Sequence, residues 1–221
     1  MCTRYTLTQM QVLAEFCQTL GAALEPERFA ARYNVAPTQE VPVIVDDGSR
    51  HVVSMSFGFS LKPRPTEKRG LLMVTARSES ILEKPTFRDA AAHRRCLVPA
   101  DGFFEWEKNG AARLPHFLQL KGRRPFCFAG LWQPKESWRP AGFVIVTTQP
   151  NELLESFHDR MPVILGPHTA PLWIGHDALA PEAVARLCRP LPAALMERCR
   201  VDPRMNNVRH EAPDTITPLP A

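Results

Sequence analysis

Prolines and turn motifs interrupt this sequence so often that a bundle of long helices is excluded. The chain has 221 residues and 22 prolines, which is about twice the usual share. Proline lacks a backbone N–H and breaks helix interiors and central strands. The apolar runs between these breaks are short and rich in β-branched and aromatic residues, which predicts strands. The sequence therefore predicts an α+β fold with a curved, mostly antiparallel β-sheet or open barrel flanked by short helices.

The predicted strands are closely spaced, and few helices separate them. A first helix is expected over residues 8–20, with Thr8 as its N-cap and Gly21 after its last residue. Residues 32–38 are expected to be irregular, and two β-rich runs predict a hairpin over residues 41–59. The other predicted strands cover residues 71–76, 96–99, 103–107, 116–120, 126–131, 143–148, 162–165 and 198–201, and the other predicted helices cover residues 78–83, 86–92, 151–157 and 181–187.

Composition sets broad limits on organisation and location. Hydrophobic residues make up 44% of the chain, which is enough for one large core, and no internal repeat divides it. We expect a single domain over residues 1–221, with the C-terminal segment 166–221 packed on the rest. The net charge of +4 permits a nucleic-acid partner without requiring one. No apolar run approaches the roughly 20 residues of a membrane span, and the N-terminus lacks a signal pattern, so a cytoplasmic protein is expected.

Neither a metal nor an organic cofactor is expected. The six cysteines are scattered without a Cys-x-x-Cys pair, and no cysteines or histidines have the spacing of a zinc finger. The chain also lacks a strand, glycine-rich turn and helix in succession, which argues against a dinucleotide or P-loop site. The cysteines are therefore expected to be reduced and mostly buried thiols.

Cys2 is the first candidate for chemistry. Removal of Met1 would leave a free α-amine and a thiol on adjacent carbons, with ordinary pKa values of about 8 and about 8.5. Such a 1,2-aminothiol condenses with an aldehyde to an imine, which the thiolate closes into a five-membered thiazolidine. An unpaired cysteine is more often a packing residue, so both interpretations stay open on this residue alone.

Glu105 and His158 are candidate groups for proton transfer. Glu105 lies in the aromatic run at residues 103–106, and strand alternation places it on the same face as Phe103. A carboxyl group in apolar surroundings has a raised pKa and suits general acid–base catalysis, whereas an outward-facing glutamate is the alternative. His158 suits proton transfer near neutral pH, and a loop histidine without a role is its alternative.

Several short motifs occur in a recognisable order along the chain. These motifs are Met1–Tyr5, Arg32–Thr38, Ala76–Glu79, Arg95–Trp106, Phe128–Trp132 and His158–Leu165. In this order they strongly resemble the SRAP family of SOS response-associated peptidases, also called abasic site processing proteins. The resemblance runs from Cys2 to about Leu165, and Asn207-Val208 resembles the family's C-terminal segment.

The resemblance implies an activity in DNA repair and in the SOS response. Family members bind abasic sites in single-stranded DNA, often near a junction with duplex, and form a covalent thiazolidine crosslink through the N-terminal cysteine. Their peptidase name refers to the release of their own Met1. The resemblance thus implies a self-processing protease, or hydrolase, with a lyase-like crosslinking activity. A cytoplasmic, nucleoid-associated monomer with no membrane partner is expected.

The resemblance also implies roles for single residues. Cys2 corresponds to the nucleophile, Glu105 to the acid that helps to open the sugar, and His158 to the histidine that assists opening and positions the sugar. Thr75 stands in the catalytic group, at a position where the family usually has asparagine. The residues expected in the DNA groove, with phosphate-binding or site-ordering roles, are Arg4, Asn34, Arg77 and Arg160.

The sequence departs from the family pattern in three places. Thr75 offers one hydroxyl of shorter reach than an asparagine amide, so crosslink formation or stability is expected to differ. The family's two tryptophans are absent from residues 57–63, which leaves Phe57 or Phe59 as a stacking candidate. Thr3 replaces the usual glycine. Two alternative functions therefore stay open: an amide hydrolase that uses the N-terminal cysteine, and a noncovalent single-stranded DNA-binding paralogue.

Overall fold

Strands dominate the fold, and the helices are short. The computed structural model describes residues 3–63, 70–110, 112–175 and 177–220, except for the side chain of Asn109. The strands are β1 (Tyr5–Leu7), β2 (Arg32–Val35), β3 (Glu40–Asp46), β4 (Arg50–Phe57), β5 (Phe59–Ser60), β6 (Leu72–Met73), β7 (Thr75–Arg77), β8 (Arg95–Ala100), β9 (Gly102–Asn109), β10 (Ala112–Leu120), β11 (Phe126–Gln133), β12 (Gly142–Thr148), β13 (Met161–Pro162), β14 (Ile164–Leu165) and β15 (Met196–Arg200). The α-helices are α1 (Met10–Thr19), α2 (Arg88–His93), α3 (Ala170–Trp173) and α4 (Pro181–Leu187), and short 3-10 turns lie at Pro26–Arg28, Ser78–Ser80, Lys121–Arg123, Ala193–Leu195, Pro203–Asn206 and Pro213–Ile216.

The larger sheet closes on itself through five of its strands. β3 pairs antiparallel with β4 and β8, β8 pairs with β11, and β11 pairs with β12. β12 then closes the ring by parallel pairing with β4, and β7 also runs parallel to β12. β13 and β14 extend the sheet beside β12 and β11. This partly ring-like sheet confirms the predicted α+β class with a curved, mostly antiparallel sheet or open barrel.

The second sheet is antiparallel and has the strand order β15-β10-β9-β1-β2. Phe103 on β9 packs into the main core, whereas the next residue, Phe104, packs with Phe117 and Met205 in a smaller cluster. The alternation predicted for this strand is therefore confirmed. Glu105 follows on the face of Phe103 and is also buried.

Aromatic contacts join the two sheets in the core. Tyr5 on β1 lies edge-on to Phe57 and to Phe128, with ring centroids 5.7 Å apart in both pairs. Edge-to-face pairs of this kind contribute about 0.5–1.5 kcal/mol beyond their buried area. Gly130 on β11 has no room for a side chain, because an added Cβ would lie 2.7 Å from Cys96 Sγ. The packing at β8 and β11 therefore requires glycine at this position.

Asp101, in the tight connection between β8 and β9, holds the start of α1. Its carboxylate accepts hydrogen bonds from the Thr8 backbone N–H at 2.6 Å, the Thr8 hydroxyl at 2.7 Å and the Gln9 backbone N–H at 2.8 Å. The N-cap is Gln9, so the prediction that Thr8 caps this helix is wrong. The Thr8 hydroxyl donates to Asp101 instead, which ties α1 to the strand that carries Glu105.

Three further elements differ from the sequence-based predictions. The stretch expected to be irregular contains β2, because β1 supplies its ladder partner. Residues 151–157 form turns and no helix, since the Asn151 side chain accepts from the Leu153 N–H and donates to the Leu191 carbonyl. The strand predicted over residues 162–165 is broken at Val163, whose backbone pairs with β12 on one side and β11 on the other.

The described residues contain no helix that is long and apolar enough to cross a membrane. Within the described part of the chain, no three His, Cys, Asp or Glu side chains gather closely enough to hold a metal ion. The described cysteines are unbonded thiols, and burial raises the pKa of the Cys17 thiol to about 12. Such thiols are poor nucleophiles. The single-domain organisation stays a prediction.

Candidate active site

A pocket of about 430 Å³ lies beside the middle and the C-terminal part of β9. Strand pairing explains part of its composition, because Tyr5 pairs with Phe103 and this antiparallel register continues to place Thr3 beside Glu105. Cys2 lies outside the described residues. The residues that line the pocket are Thr3, Glu105, Trp106, Lys108, Arg113, Phe157, His158 and Asp159.

Glu105 and His158 meet in this pocket. Glu105 Oε2 lies 3.6 Å from His158 Nε2, and Glu105 is only 1% exposed. Burial raises the pKa of Glu105 to about 7, and burial is also the main cause that lowers the pKa of His158. Both shifts favour the neutral form, because low-dielectric surroundings penalise charge. Near neutral pH the pair therefore combines a carboxyl group that can donate a proton with an imidazole that can accept one.

The backbone of Arg160 orients the His158 ring. His158 Nδ1 lies 3.0 Å from both the N–H nitrogen and the carbonyl oxygen of Arg160. When Nδ1 of the neutral ring carries the proton and donates it to the Arg160 carbonyl, Nε2, the nitrogen that faces Glu105, is the basic nitrogen of the ring. The turn at residues 158–160 thus provides an acceptor for the tautomer that can take up a proton on the side of the carboxyl group.

The Arg160 side chain anchors this turn to the larger sheet. Its guanidinium donates to Glu79 Oε1 at 2.7 Å, Glu79 Oε2 at 2.8 Å and the Thr147 carbonyl at 2.6 Å. Arg160 is only 6% exposed, which favours a site-ordering role over a direct contact with phosphate. Sequence reasoning missed Glu79, although the Ala-Arg-Ser-Glu motif contains it, because its partner lies 81 positions away.

Arg4 and Asn34 lie together under a segment that we call the C-terminal strap (residues 202–216). Arg4 donates to Asn34 Oδ1 at 2.7 Å and to the Met205 carbonyl at 3.2 Å. Asn34 is fully buried, and its Nδ2 donates to the carbonyls of Met205, Asn207 and His210. Asn34 therefore has the surroundings of a residue that fixes the strap. Direct DNA contact by Arg4 or Asn34 stays a prediction.

Thr75 and Arg77 lie on β7, which runs parallel to β12. Arg77 is exposed, and Thr75 is half-buried. Neither side chain is among the described residues that line the pocket. Phe57 is fully buried and Phe59 is 2% exposed, so the expectation that one of them stacks on a base is wrong. Both rings pack in the core instead.

Phe157 forms a wall of the pocket and is supported on two sides. Its ring stacks on His116, with centroids 5.4 Å apart, and the Arg198 guanidinium lies 5.0 Å from its centroid. His116 lies opposite Glu105 in the strand ladder, and its Nε2 is 2.9 Å from Glu107 Oε2. Sequence reasoning missed His116, because only the register of β9 and β10 brings its ring against Phe157.

Solved structures with this fold cover nearly the whole chain. A protein from Bacteroides thetaiotaomicron aligns with a TM-score of 0.80 and 22% identity over 99% of this chain and 100% of its own. A phage-related protein from Bordetella bronchiseptica aligns with a TM-score of 0.71 and 26% identity over 90% of this chain and 94% of its own. The chain is thus a protein of mixed α and β structure, with large sheets and few helices.

The family model for SOS response associated peptidase (SRAP) matches residues 1–208. The chain belongs to this family. The abasic site processing protein YoqW of Bacillus subtilis is 34% identical over 98% of this chain and 99% of its own length. YedK of Escherichia coli, with the same descriptive name, is 29% identical over 99% of this chain and all of its own length. HMCES of Gallus gallus, also an abasic site processing protein, is 25% identical over 90% of this chain and 71% of its own.

Proposed function

We propose that this protein processes abasic sites by forming a covalent thiazolidine crosslink between Cys2 and single-stranded DNA. The observation that carries the proposal is the close pair of buried Glu105 and half-buried His158 in a pocket that Thr3 also lines. Thr3, the residue that follows Cys2 in the sequence, lines the same pocket. The names of the relatives supply the substrate class.

The proposed chemistry needs no cofactor. Hydrolysis of the Met1–Cys2 peptide bond consumes one water and leaves a free α-amine on Cys2. The amine adds to the aldehyde of the ring-opened sugar, and loss of one water gives an imine. The Cys2 thiolate then adds to the imine carbon, while the imine nitrogen takes up a proton. This last step closes the thiazolidine without a leaving group.

Glu105 and His158 supply the proton transfers in this proposal. Opening of the closed sugar requires a base for the hydroxyl proton and an acid for the ring oxygen, and a neutral imidazole and a carboxyl group can fill these two roles. The proton that the attacking amine loses restores the carboxyl group of Glu105, which then protonates the carbinolamine hydroxyl so that it leaves as water. Because its pKa is raised to about 7, Glu105 can both donate and recover a proton near neutral pH.

Other residues have supporting roles in this proposal. Arg77 is exposed on β7 and suits a phosphate contact. Arg160 and Asn34 are buried and bonded within the fold, so we assign them to ordering of the site. Thr75 replaces the usual asparagine, and we propose that it alters the rate of crosslink formation or reversal. The single strand is proposed to enter near a junction with duplex, and the acting species is proposed to be a monomer.

Intact-protein mass and adduct formation test the proposal together. The purified protein is expected to lack Met1 and to form a denaturation-resistant adduct with a single-stranded oligonucleotide that carries an abasic site. Cys2→Ala is expected to abolish the adduct, whereas Cys199→Ser, at a described cysteine that is only partly buried, keeps it. Glu105→Gln and His158→Ala are expected to slow adduct formation.

The same experiment separates the alternatives. Retention of Met1, with salt-sensitive DNA binding and no adduct, would indicate a noncovalent binding paralogue. Turnover of a small amide that abasic DNA does not inhibit would indicate an N-terminal-nucleophile hydrolase. An adduct that forms equally well with Cys2→Ala would exclude Cys2 as the nucleophile.

A further inference from the structure

Two cations face each other at the rim of the pocket. Lys108 near the end of β9 pairs directly with Arg113 near the start of β10. Both side chains are exposed, and both line the pocket that contains Glu105 and His158. Neither residue belongs to the motifs that carry the family resemblance. Their position comes from the hairpin, which extends past the buried part of the sheet.

The pairing of these two cations is unfavourable in the free protein. Like charges that lie directly opposite on neighbouring strands destabilise the pair. Besides the buried Glu105, one acidic side chain, Asp159, lines the pocket, and it is 80% exposed. Glu107, on the same strand as Lys108, has its carboxylate at His116 instead. The rim therefore has an excess of positive charge.

We propose that Lys108 and Arg113 together bind a phosphodiester of the DNA strand next to the abasic sugar. The proposal rests on the proposed function, because it assigns the phosphate that enters with the reacting sugar. Arg offers a planar fork of donors and Lys a compact ammonium, and both suit phosphate oxygens. A shared anion also removes the repulsion between the two cations. The site would thus select a nucleotide with an intact phosphate backbone over a free aldehyde.

Phosphate binding at this rim also acts on His158. Lys108 is one of the charges that lower the pKa of His158, after burial, whereas Asp159 raises it. A phosphate bound to Lys108 offsets that cation and raises the affinity of the imidazole for a proton. Substrate binding would then prepare His158 to accept a proton from the sugar.

Salt dependence of DNA binding tests the proposal directly. The probe is a single-stranded oligonucleotide with a tetrahydrofuran abasic analogue, which lacks the aldehyde and cannot crosslink. The double variant Lys108→Gln/Arg113→Gln is expected to weaken binding by about tenfold or more at low salt. It is also expected to reduce the slope of log K against log salt by about 0.7, the value for one phosphate contact on a single strand. Both residues are exposed, so the fold is expected to be retained, and thermal unfolding checks this.

The matched control is Lys121→Gln/Arg124→Gln. This variant has the same change in net charge, and Lys121 lies eight residues beyond Arg113, about 26 Å away along the strand direction. The control is expected to keep the wild-type slope. We call Lys108→Gln/Arg113→Gln the hairpin variant. An unchanged salt slope in the hairpin variant, or an equal reduction of the slope in the control, would overturn the proposal.

Failure of this proposal can be distinguished from failure of the proposed function. Wild-type protein that forms no adduct with true abasic DNA would refute the function, whatever the analogue shows. Wild-type protein that forms the adduct, with a hairpin variant that binds and reacts equally well, would refute only the phosphate site. An NMR titration of His158 adds a second measurement: analogue binding is expected to raise its pKa more in wild type than in the hairpin variant.

Discussion

Replacing Glu79 with glutamine is expected to disturb the turn at residues 158–160, which is distant from Glu79 in the sequence. The Glu79 carboxylate accepts two hydrogen bonds from Arg160, whose side chain is 8% exposed and whose backbone orients His158. Glu79→Gln preserves the shape of the side chain but removes its charge and replaces one of the two acceptor oxygens with an amide nitrogen that donates. The buried guanidinium then loses one acceptor and retains only neutral ones.

The size of the effect follows from these contacts. A hydrogen bond to a charged group contributes about 1.5–3 kcal/mol and a neutral one about 0.5–1.5 kcal/mol, so weakening one bond and losing the other removes about 3 kcal/mol before solvent screening. Glu79 is 47% exposed, and solvent screening reduces the loss. We expect the free energy of unfolding to fall by about 1–2 kcal/mol at neutral pH.

The loss depends on pH with a definite sign. The hydrogen bond from Arg160 is the main cause that lowers the pKa of Glu79 in the folded protein. A carboxyl group of this kind stabilises the fold above its unfolded pKa of about 4.3, and the contribution disappears as the pH falls through the lower folded value. The difference between wild type and Glu79→Gln is therefore full at neutral pH and vanishes in acid.

Urea denaturation followed by tryptophan fluorescence measures this difference at neutral pH and at about pH 3, below the unfolded pKa. Glu83→Gln is the matched control, because Glu83 is exposed nearby and loses the same charge. The adduct-forming rate of Glu79→Gln is expected to fall as well, since the turn of His158 loosens. Equal losses in the two variants, or a loss that persists unchanged in acid, would refute the reasoning.

Three further substitutions test the site and its supports. Glu105→Gln is expected to slow adduct formation but to raise the free energy of unfolding by up to about 3 kcal/mol above pH 7. Wild-type Glu105, with its pKa raised to about 7, must ionise there while buried, which destabilises the fold. Equal stability of the two proteins in urea at high pH would contradict this. Asn34→Ala is expected to lower the free energy of unfolding by about 2–4 kcal/mol, because three carbonyls lose a donor, and to speed proteolysis of the strap; an unchanged cleavage rate contradicts it. His116→Phe is expected to preserve the wall at Phe157 and the adduct-forming rate better than His116→Ala; equal rates in both variants would exclude this support.

Sequence reasoning assigned Glu105 and His158 to one site because each residue lies in a recognisable local pattern. Alternation along one strand predicted the face of Glu105, because side chains of a strand point to opposite sides in turn. His158 was proposed from its motif, and the distance of 3.6 Å between the two side chains agrees with a shared site. Their catalytic roles stay predictions.

The supports of the site could not be predicted, because they depend on tertiary contacts between distant residues. Asn34 binds carbonyls that lie more than 170 positions away, and nothing in its own neighbourhood indicates this. Aromatic side chains suit both base stacking and core packing, so the sequence alone does not distinguish these two roles at Phe57 and Phe59. Their burial depends on the closure of the ring, which puts Phe57 face to face with Phe143, at 5.1 Å.

Neutral and charged side chains lie at different depths in the pocket. The floor contains Glu105 and His158, whose shifted pKa values favour neutral forms near pH 7, while Lys108 and Arg113 lie exposed at the rim. A phosphodiester stays charged at any ordinary pH and is drawn to the rim, whereas an uncharged aldehyde can enter the floor without the cost of burying a charge. In the proposed reaction, salt should therefore act through DNA binding at the rim, and pH through proton transfer at the floor. Saturating DNA would remove the salt effect on the adduct-forming rate and leave the pH effect in place.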